Sequence, residues 1–138
     1  LVSKIKTKGN ALCHVVLRGG VHGSNYDSKH IETVEALLDQ AGVTRRIMID
    51  CNHGNSGKEP AFQETVIHNV LEQITSGRTS LFGLMIESNL KGGSQKLTDD
   101  PKKLEHGVSV TDPCLGFEDT RRIIMDAYET FIKQNPVS

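Results

Sequence analysis

The chain of 138 residues has no tryptophan, and aromatic residues make up only 4% of it. Hydrophobic residues reach 36%, a lean supply for a chain of a length that supports one modest core. Burial is therefore expected to draw on a partner surface. Cysteine is scarce: Cys13, Cys51 and Cys114 have no CxxC spacing. An odd count without a secretion signal points to reduced thiols in an intracellular, cytoplasmic protein. Long apolar runs are missing, and none approaches the roughly 18 residues of a membrane span. The opening LVSKIKTKGN is polar and lacks the apolar stretch of a signal peptide. Neither sign of charge dominates, with 16 basic and 17 acidic residues and a net charge of −1. This balance speaks against nucleic-acid and membrane partners. The first residue is Leu1, not Met, so a fragment or processed product is expected.

What is present is a repeated alternation of short apolar runs and helical periodicities. Cys13 to Gly19 reads as a first strand, and its HVVL core suits a strand covered on both faces. Ser28 to Ala41 follows as a helix, with Ile31, Val34, Leu37, Leu38 and Ala41 on one stripe. Asp27 or Ser28 can cap it, and Gly42 can stop it. Arg46 to Cys51 is a second strand, and Asn52 to Pro60 a polar, glycine-rich loop. Phe62, Val66, Ile67, Val70, Leu71 and Ile74 mark a second helix that ends at Gly77. Leu81 to Glu87 is a third strand. Ser88 to Gly107 is polar and without period, a length often tied to function. Val108 to Asp112 is a fourth strand. Glu118 to about Lys133 is a last helix, with Ile123, Ile124, Ala127, Tyr128, Phe131 and Ile132 inward and Asn135-Pro136 as its stop.

Each strand run ends in a chemically active side chain. His53, Glu87 and Asp112 close three successive runs, 34 and 25 residues apart, about the length of a βα unit. In a parallel sheet all three emerge at one carboxyl edge. An imidazole and two carboxylates converging there make a divalent-metal site. Arg18, 35 residues before His53, adds a fixed cation suited to a phosphate or carboxylate. Cys51 lies close enough in sequence to approach such a metal, although a buried structural thiol is its plainer role. Lys58 is expected to be a loop cation. GNSGK lacks the phosphate-loop spacing, which excludes nucleotide binding on that motif. A polar group at the end of every strand favours a (β/α)8 barrel over a doubly wound sheet. Four βα units are about half of such a barrel, which takes ~250 residues.

The blocks CHVVLRGG, IMIDCNHGNSGK, GLMIESNLKGGSQ and GVSVTDPCLGFEDT resemble the carboxyl-terminal signature segments of the class I 3-deoxy-D-arabino-heptulosonate 7-phosphate (DAHP) synthases, the short microbial and fungal type. The resemblance runs from about Gly9 to Phe131. It implies a single partial domain over residues 1–138, the carboxyl-terminal half of a (β/α)8 TIM barrel. It implies a transferase that condenses phosphoenolpyruvate with erythrose 4-phosphate, the first step of aromatic amino-acid synthesis. His53, Glu87 and Asp112 are then ligands of a divalent metal (Mn, Fe, Co or Zn), and Arg18 holds the phosphate of phosphoenolpyruvate. The chain reads TDPC and GF where the family usually reads TDAC and GW, so Pro113 removes a backbone donor just after Asp112.

The resemblance also implies that a fourth, cysteine ligand and most substrate-binding cations belong to an amino-terminal half. The isolated chain is accordingly expected to be inactive and to work as a homo-oligomer or with that half. Two other readings remain open at this level: a non-catalytic half-barrel assembly fragment, and a different metal-dependent TIM-barrel lyase or hydrolase.

Overall fold

A computed structural model describes residues 3–134. Its centre is a three-stranded parallel sheet in the order β1 (Val15–Leu17), β2 (Ile47–Asp50), β3 (Leu81–Met85). Helix α1 (Ser28–Gln40) joins β1 to β2. A short helix α2 (His53–Ser56) and α3 (Phe62–Thr75) join β2 to β3. A 3-10 turn (Pro101–Lys103) and α4 (Phe117–Gln134) follow. Val15 pairs with Ile47, Leu17 with Ile49, and Asp50 with Met85. Ile47 faces Leu81 but Met48 faces Gly83, so Phe82 is the extra residue of a bulge. Its ring meets that of His14 edge-on at 5.0 Å.

The helix ends follow local chemistry. Asp27 caps α1 by accepting the N–H groups of Lys29 and His30 at 3.1 and 3.2 Å. Gly42 closes it at φ 64°, and the bonds Gly42 N–H to Asp39 O and Val43 N–H to Leu38 O complete a Schellman motif. The stop expected at Asn135-Pro136 lies outside the described residues.

The core lies between one face of the sheet and the helices. Leu17, Ile47, Ile49, Cys51 and Leu81 pack with Ile31 of α1, with Val66, Ile67, Val70 and Leu71 of α3, and with Ile123 of α4. The opposite sheet face is open: Val16 and Phe82 are 38% and 50% exposed. The apolar strands are thus covered on one face among the described residues, where their composition predicts both. The inward stripes are also narrower than the periodicity implies. Leu37, Phe62, Ile124, Tyr128 and Phe131 are exposed, because helix periodicity states which residues can be buried together, not what covers them.

The expected fourth strand, Val108 to Asp112, is not part of the sheet. Its backbone groups are engaged elsewhere: Gln95 N–H donates to Ser109 O at 2.7 Å, and Gln95 Nε2 donates to Val108 O at 3.0 Å. Isolated bridges, Ser88 to Leu115 and Ser94 to Ser109 in parallel sense and Gly93 to Cys114 in antiparallel sense, tie this segment to the preceding loop. The fold is therefore a mixed α/β structure on a parallel sheet, with three strands in the ladder.

Candidate metal centre

The site forms just past the carboxyl ends of β2 and β3. The chain leaves β2 through Asp50 and turns at His53, which has a left-handed backbone (φ 50°). It then winds into α2 and reverses through Gly57 (φ 63°) and Lys58 (φ 66°). The short helix was hidden in what the sequence presents as a glycine-rich loop. Buried Asn55 anchors it: Nδ2 donates to Leu17 O at 3.0 Å and to Asp50 O at 2.8 Å, while Oδ1 accepts Asn25 N–H at 2.8 Å. Asn25 Oδ1 in turn accepts Gly19 N–H at 2.7 Å. Two side-chain amides thereby join the ends of β1 and β2 to the turn that carries His53.

Glu87 stands two residues beyond β3, where strand pairing has ended. Fully buried Gln63 of α3 takes over its backbone, donating to Glu87 O at 3.1 Å and accepting Glu87 N–H at 2.8 Å. The side chain is also held, since Asn52 Nδ2 donates to Glu87 Oε2. Asp112 arrives from the irregular segment before α4. Lys58 Nζ donates to its Oδ1 at 3.2 Å. Pro113 leaves the following backbone in place, since Cys114 N–H still donates to Gly93 O at 3.1 Å.

These supports bring His53, Glu87 and Asp112 together. Nε2 of His53 lies 3.5 Å from Asp112 Oδ2 and 4.0 Å from Glu87 Oε2. One ligand atom from each residue falls within 4.8 Å of the others, an arrangement that can hold a metal ion. All three are partly buried, so the cluster borders solvent without being open to it. Nδ1 of His53 lies 2.8 Å from Asp50 Oδ2.

Arg18 is beside this cluster through its backbone, whose carbonyl accepts Gly54 N–H at 3.0 Å. Its side chain is exposed and makes no hydrogen bond or ion pair with the described residues. Cys51 stands outside the cluster: its thiol points to Ile49 O at 3.8 Å, and burial, aided by the charge of Asp50, pushes it up to about 12. Fully buried and packed in the apolar cluster, Cys51 is a core residue. Asn25, Asp50, Asn52, Asn55 and Gln63 are the site residues that sequence reasoning missed. Their only trace was the placing of polar residues in otherwise apolar or turn segments.

Fold and site together define an α/β protein with a histidine–dicarboxylate cluster at the carboxyl edge of a parallel sheet, the edge at which α/β enzymes place their chemistry. Comparison with known proteins makes this specific. Residues 1–125 match the DAHP synthetase I family, and the chain belongs to that family. It is 44% identical over 127 residues to a phospho-2-dehydro-3-deoxyheptonate aldolase of Alternaria alternata, covering 91% of this chain and 34% of that protein. The corresponding protein of Haemophilus influenzae is 39% identical over 128 residues, covering 93% and 35%. The solved structure of phospho-2-dehydro-3-deoxyheptonate aldolase from Francisella tularensis superposes with a TM-score of 0.83 at 42% identity, covering 91% of this chain and 36% of that one. The chain thus spans about a third of the length of the relatives it matches.

Proposed function

We propose that residues 1–138 form a single partial domain, the carboxyl-terminal half (about four βα units) of a (β/α)8 barrel, and that the intact protein is a DAHP synthase. Relatives named phospho-2-dehydro-3-deoxyheptonate aldolase support this reading. So does the uncovered sheet face bearing Val16 and Phe82, which suits the filled interior of a closed barrel. The reaction joins C3 of phosphoenolpyruvate to the aldehyde carbon of erythrose 4-phosphate. Water adds at C2 of the former, and inorganic phosphate leaves with cleavage of its C–O bond.

The observation that carries the proposal is the convergence of His53, Glu87 and Asp112. Their donor set, one imidazole nitrogen and carboxylate oxygens, fits a divalent first-row ion (Mn, Fe, Co or Zn). Such an ion, when bound, supplies a Lewis acid for an aldehyde oxygen. Lys58 occupies Asp112 Oδ1 and leaves Oδ2 facing His53. Arg18, with its exposed guanidinium free of described partners, is the cation for the phosphate of phosphoenolpyruvate. Holding two anionic substrates in reacting position is what such cations contribute.

The chain alone is inactive in this reading. It requires the amino-terminal half, in the same polypeptide or as a partner, and a homo-oligomer is the expected assembly. A cytoplasmic location is part of this proposal; among the described residues no helix is long and apolar enough to cross a membrane.

The test follows loss of phosphoenolpyruvate absorbance with erythrose 4-phosphate and Mn²⁺. No turnover by this chain, turnover on adding the amino-terminal half, and loss again with His53→Ala support the proposal. Persistent silence with both halves present favours a non-catalytic assembly fragment or another metal-dependent reaction.

A further inference from the structure

The carboxylate of Asp50, 4% exposed, has a different partner on each oxygen. Oδ1 accepts the backbone N–H of Asn52 at 2.9 Å. Oδ2 lies 2.8 Å from His53 Nδ1. An ionised carboxylate can only accept, so a hydrogen bond here requires the proton on Nδ1. The other ring nitrogen, Nε2, faces Asp112 and Glu87 at 3.5 and 4.0 Å. Those two carboxylates favour the opposite tautomer, with a proton on Nε2 pointing toward them. Asp50 and the cluster thus compete for one imidazole proton, and Asp50 has the shorter contact and the more buried carboxylate.

We infer that Asp50 is a positioning residue that holds His53 in its Nδ1–H tautomer and keeps Nε2 as a bare lone pair aimed at the cluster. The inference rests on the metal-binding reading above. A ligating histidine needs its outward nitrogen fixed in this way, and outer partners of this kind are worth about 10- to 100-fold in metal affinity. The geometry explains why a carboxylate is needed at position 50. In Asp50→Asn the amide oxygen stays with Asn52 N–H, so the NH₂ group turns to Nδ1. Nδ1 must then accept, and the ring proton moves to Nε2, where it blocks a metal. Size and shape are unchanged.

Nitrogen-15 histidine NMR of the full chain without metal, at a pH where imidazole is neutral, reads the tautomer directly. The wild type is expected to carry Nδ1–H at His53, and Asp50→Asn to carry Nε2–H. In calorimetry with Mn²⁺ alone, Asp50→Asn is expected to bind about 10- to 100-fold more weakly with unchanged circular dichroism. Asp50→Glu, which keeps two acceptor oxygens, recovers part of the loss. An Nε2–H tautomer in the wild type overturns the inference, as does an Asp50→Asn variant that binds Mn²⁺ like the wild type. If that variant does not fold, the wild-type tautomer decides alone. Mn²⁺ affinity insensitive to His53→Ala would sink the metal reading instead, and the metal-free spectrum separates the two failures.

Discussion

Gly19 and Gly54 touch backbone to backbone. A Cβ built on Gly19 would sit 2.5 Å from the carbonyl carbon of Gly54, and one built on Gly54 would sit 2.7 Å from the amide nitrogen of Gly20. This contact, together with the Gly54 N–H to Arg18 O bond of 3.0 Å, presses the turn that carries His53 onto the end of β1. The proposed metal ligand and the proposed phosphate cation are neighbours because neither glycine has a side chain.

Gly54→Ala is therefore expected to destabilise the fold by ~1–3 kcal/mol, the usual cost of overpacking where the obstacle is rigid backbone. Urea denaturation measures it. A midpoint equal to the wild type at unchanged slope would show that the two segments separate freely.

Gln63→Leu keeps the bulk of a fully buried side chain but removes both of its hydrogen bonds to the Glu87 backbone. Glu87 O retains the Leu115 N–H at 3.0 Å, whereas the Glu87 N–H loses its acceptor. The expected loss is ~1–3 kcal/mol from the orphaned donor, accompanied by weaker Mn²⁺ binding as Glu87 drifts. Unaltered stability and affinity together would mean that β3 alone carries Glu87.

The three cysteines should divide by reactivity. Cys13 is exposed, while Cys51 and Cys114 are buried free thiols. Burial raises both of the latter, Cys51 to about 12, and a protonated thiol is a poor nucleophile. Titration with a disulfide reagent is expected to find one fast thiol in the native chain and all three in denaturant. Rapid modification in native Cys13→Ser would contradict this burial.

Helices α3 and α4 are joined by a two-pronged pair, Arg122 Nη1 to Glu64 Oε1 at 2.7 Å and Nη2 to Oε2 at 2.8 Å. The Arg122 guanidinium, with a smaller contribution from His68, holds the Glu64 carboxyl below its ordinary value of 4.5. A depressed folded-state value means the ionised carboxylate stabilises the fold. That contribution is fully present above the ordinary value and is lost as pH falls through the lowered one. Wild type and Arg122→Ala should accordingly differ in thermal midpoint at neutral pH and converge in acid. Both side chains are partly solvated, so the difference is small and shrinks with salt. A gap that widens in acid would reverse the assignment.

Much of this architecture is legible in the sequence, and the exceptions have physical causes. The alternation of apolar runs and 3.6-residue stripes locates the three strands and the helices α1, α3 and α4 to within a few residues at their ends. His53 and Glu87 come together because they follow neighbouring parallel strands, β2 and β3, whereas Asp112 joins them from an irregular segment and not from the strand end that the sequence suggests. Val108 to Asp112 misleads because an apolar run has strand chemistry wherever it lies, yet Gln95 engages its backbone first. The turns into and out of α2 place two non-glycine residues, His53 and Lys58, at positive φ, a conformation uncommon enough outside glycine that local sequence does not announce it. The amides of Asn55 and Gln63 act across 38 and 24 residues, distances at which no local pattern announces a partner.

β2 and β3 stop at Asp50 and Met85, yet the proposed ligands His53 and Glu87 lie beyond them. The main-chain path at those positions is fixed by neighbours: Asn55 beneath the turn and Gln63 against Glu87. The rim is thus a socket whose frame is independent of its pins. Under the proposed metal-binding role, replacing Glu87 by histidine or cysteine exchanges one donor atom for another while Gln63 still holds the backbone at 87, so the ion favoured at this edge is expected to follow the side chain.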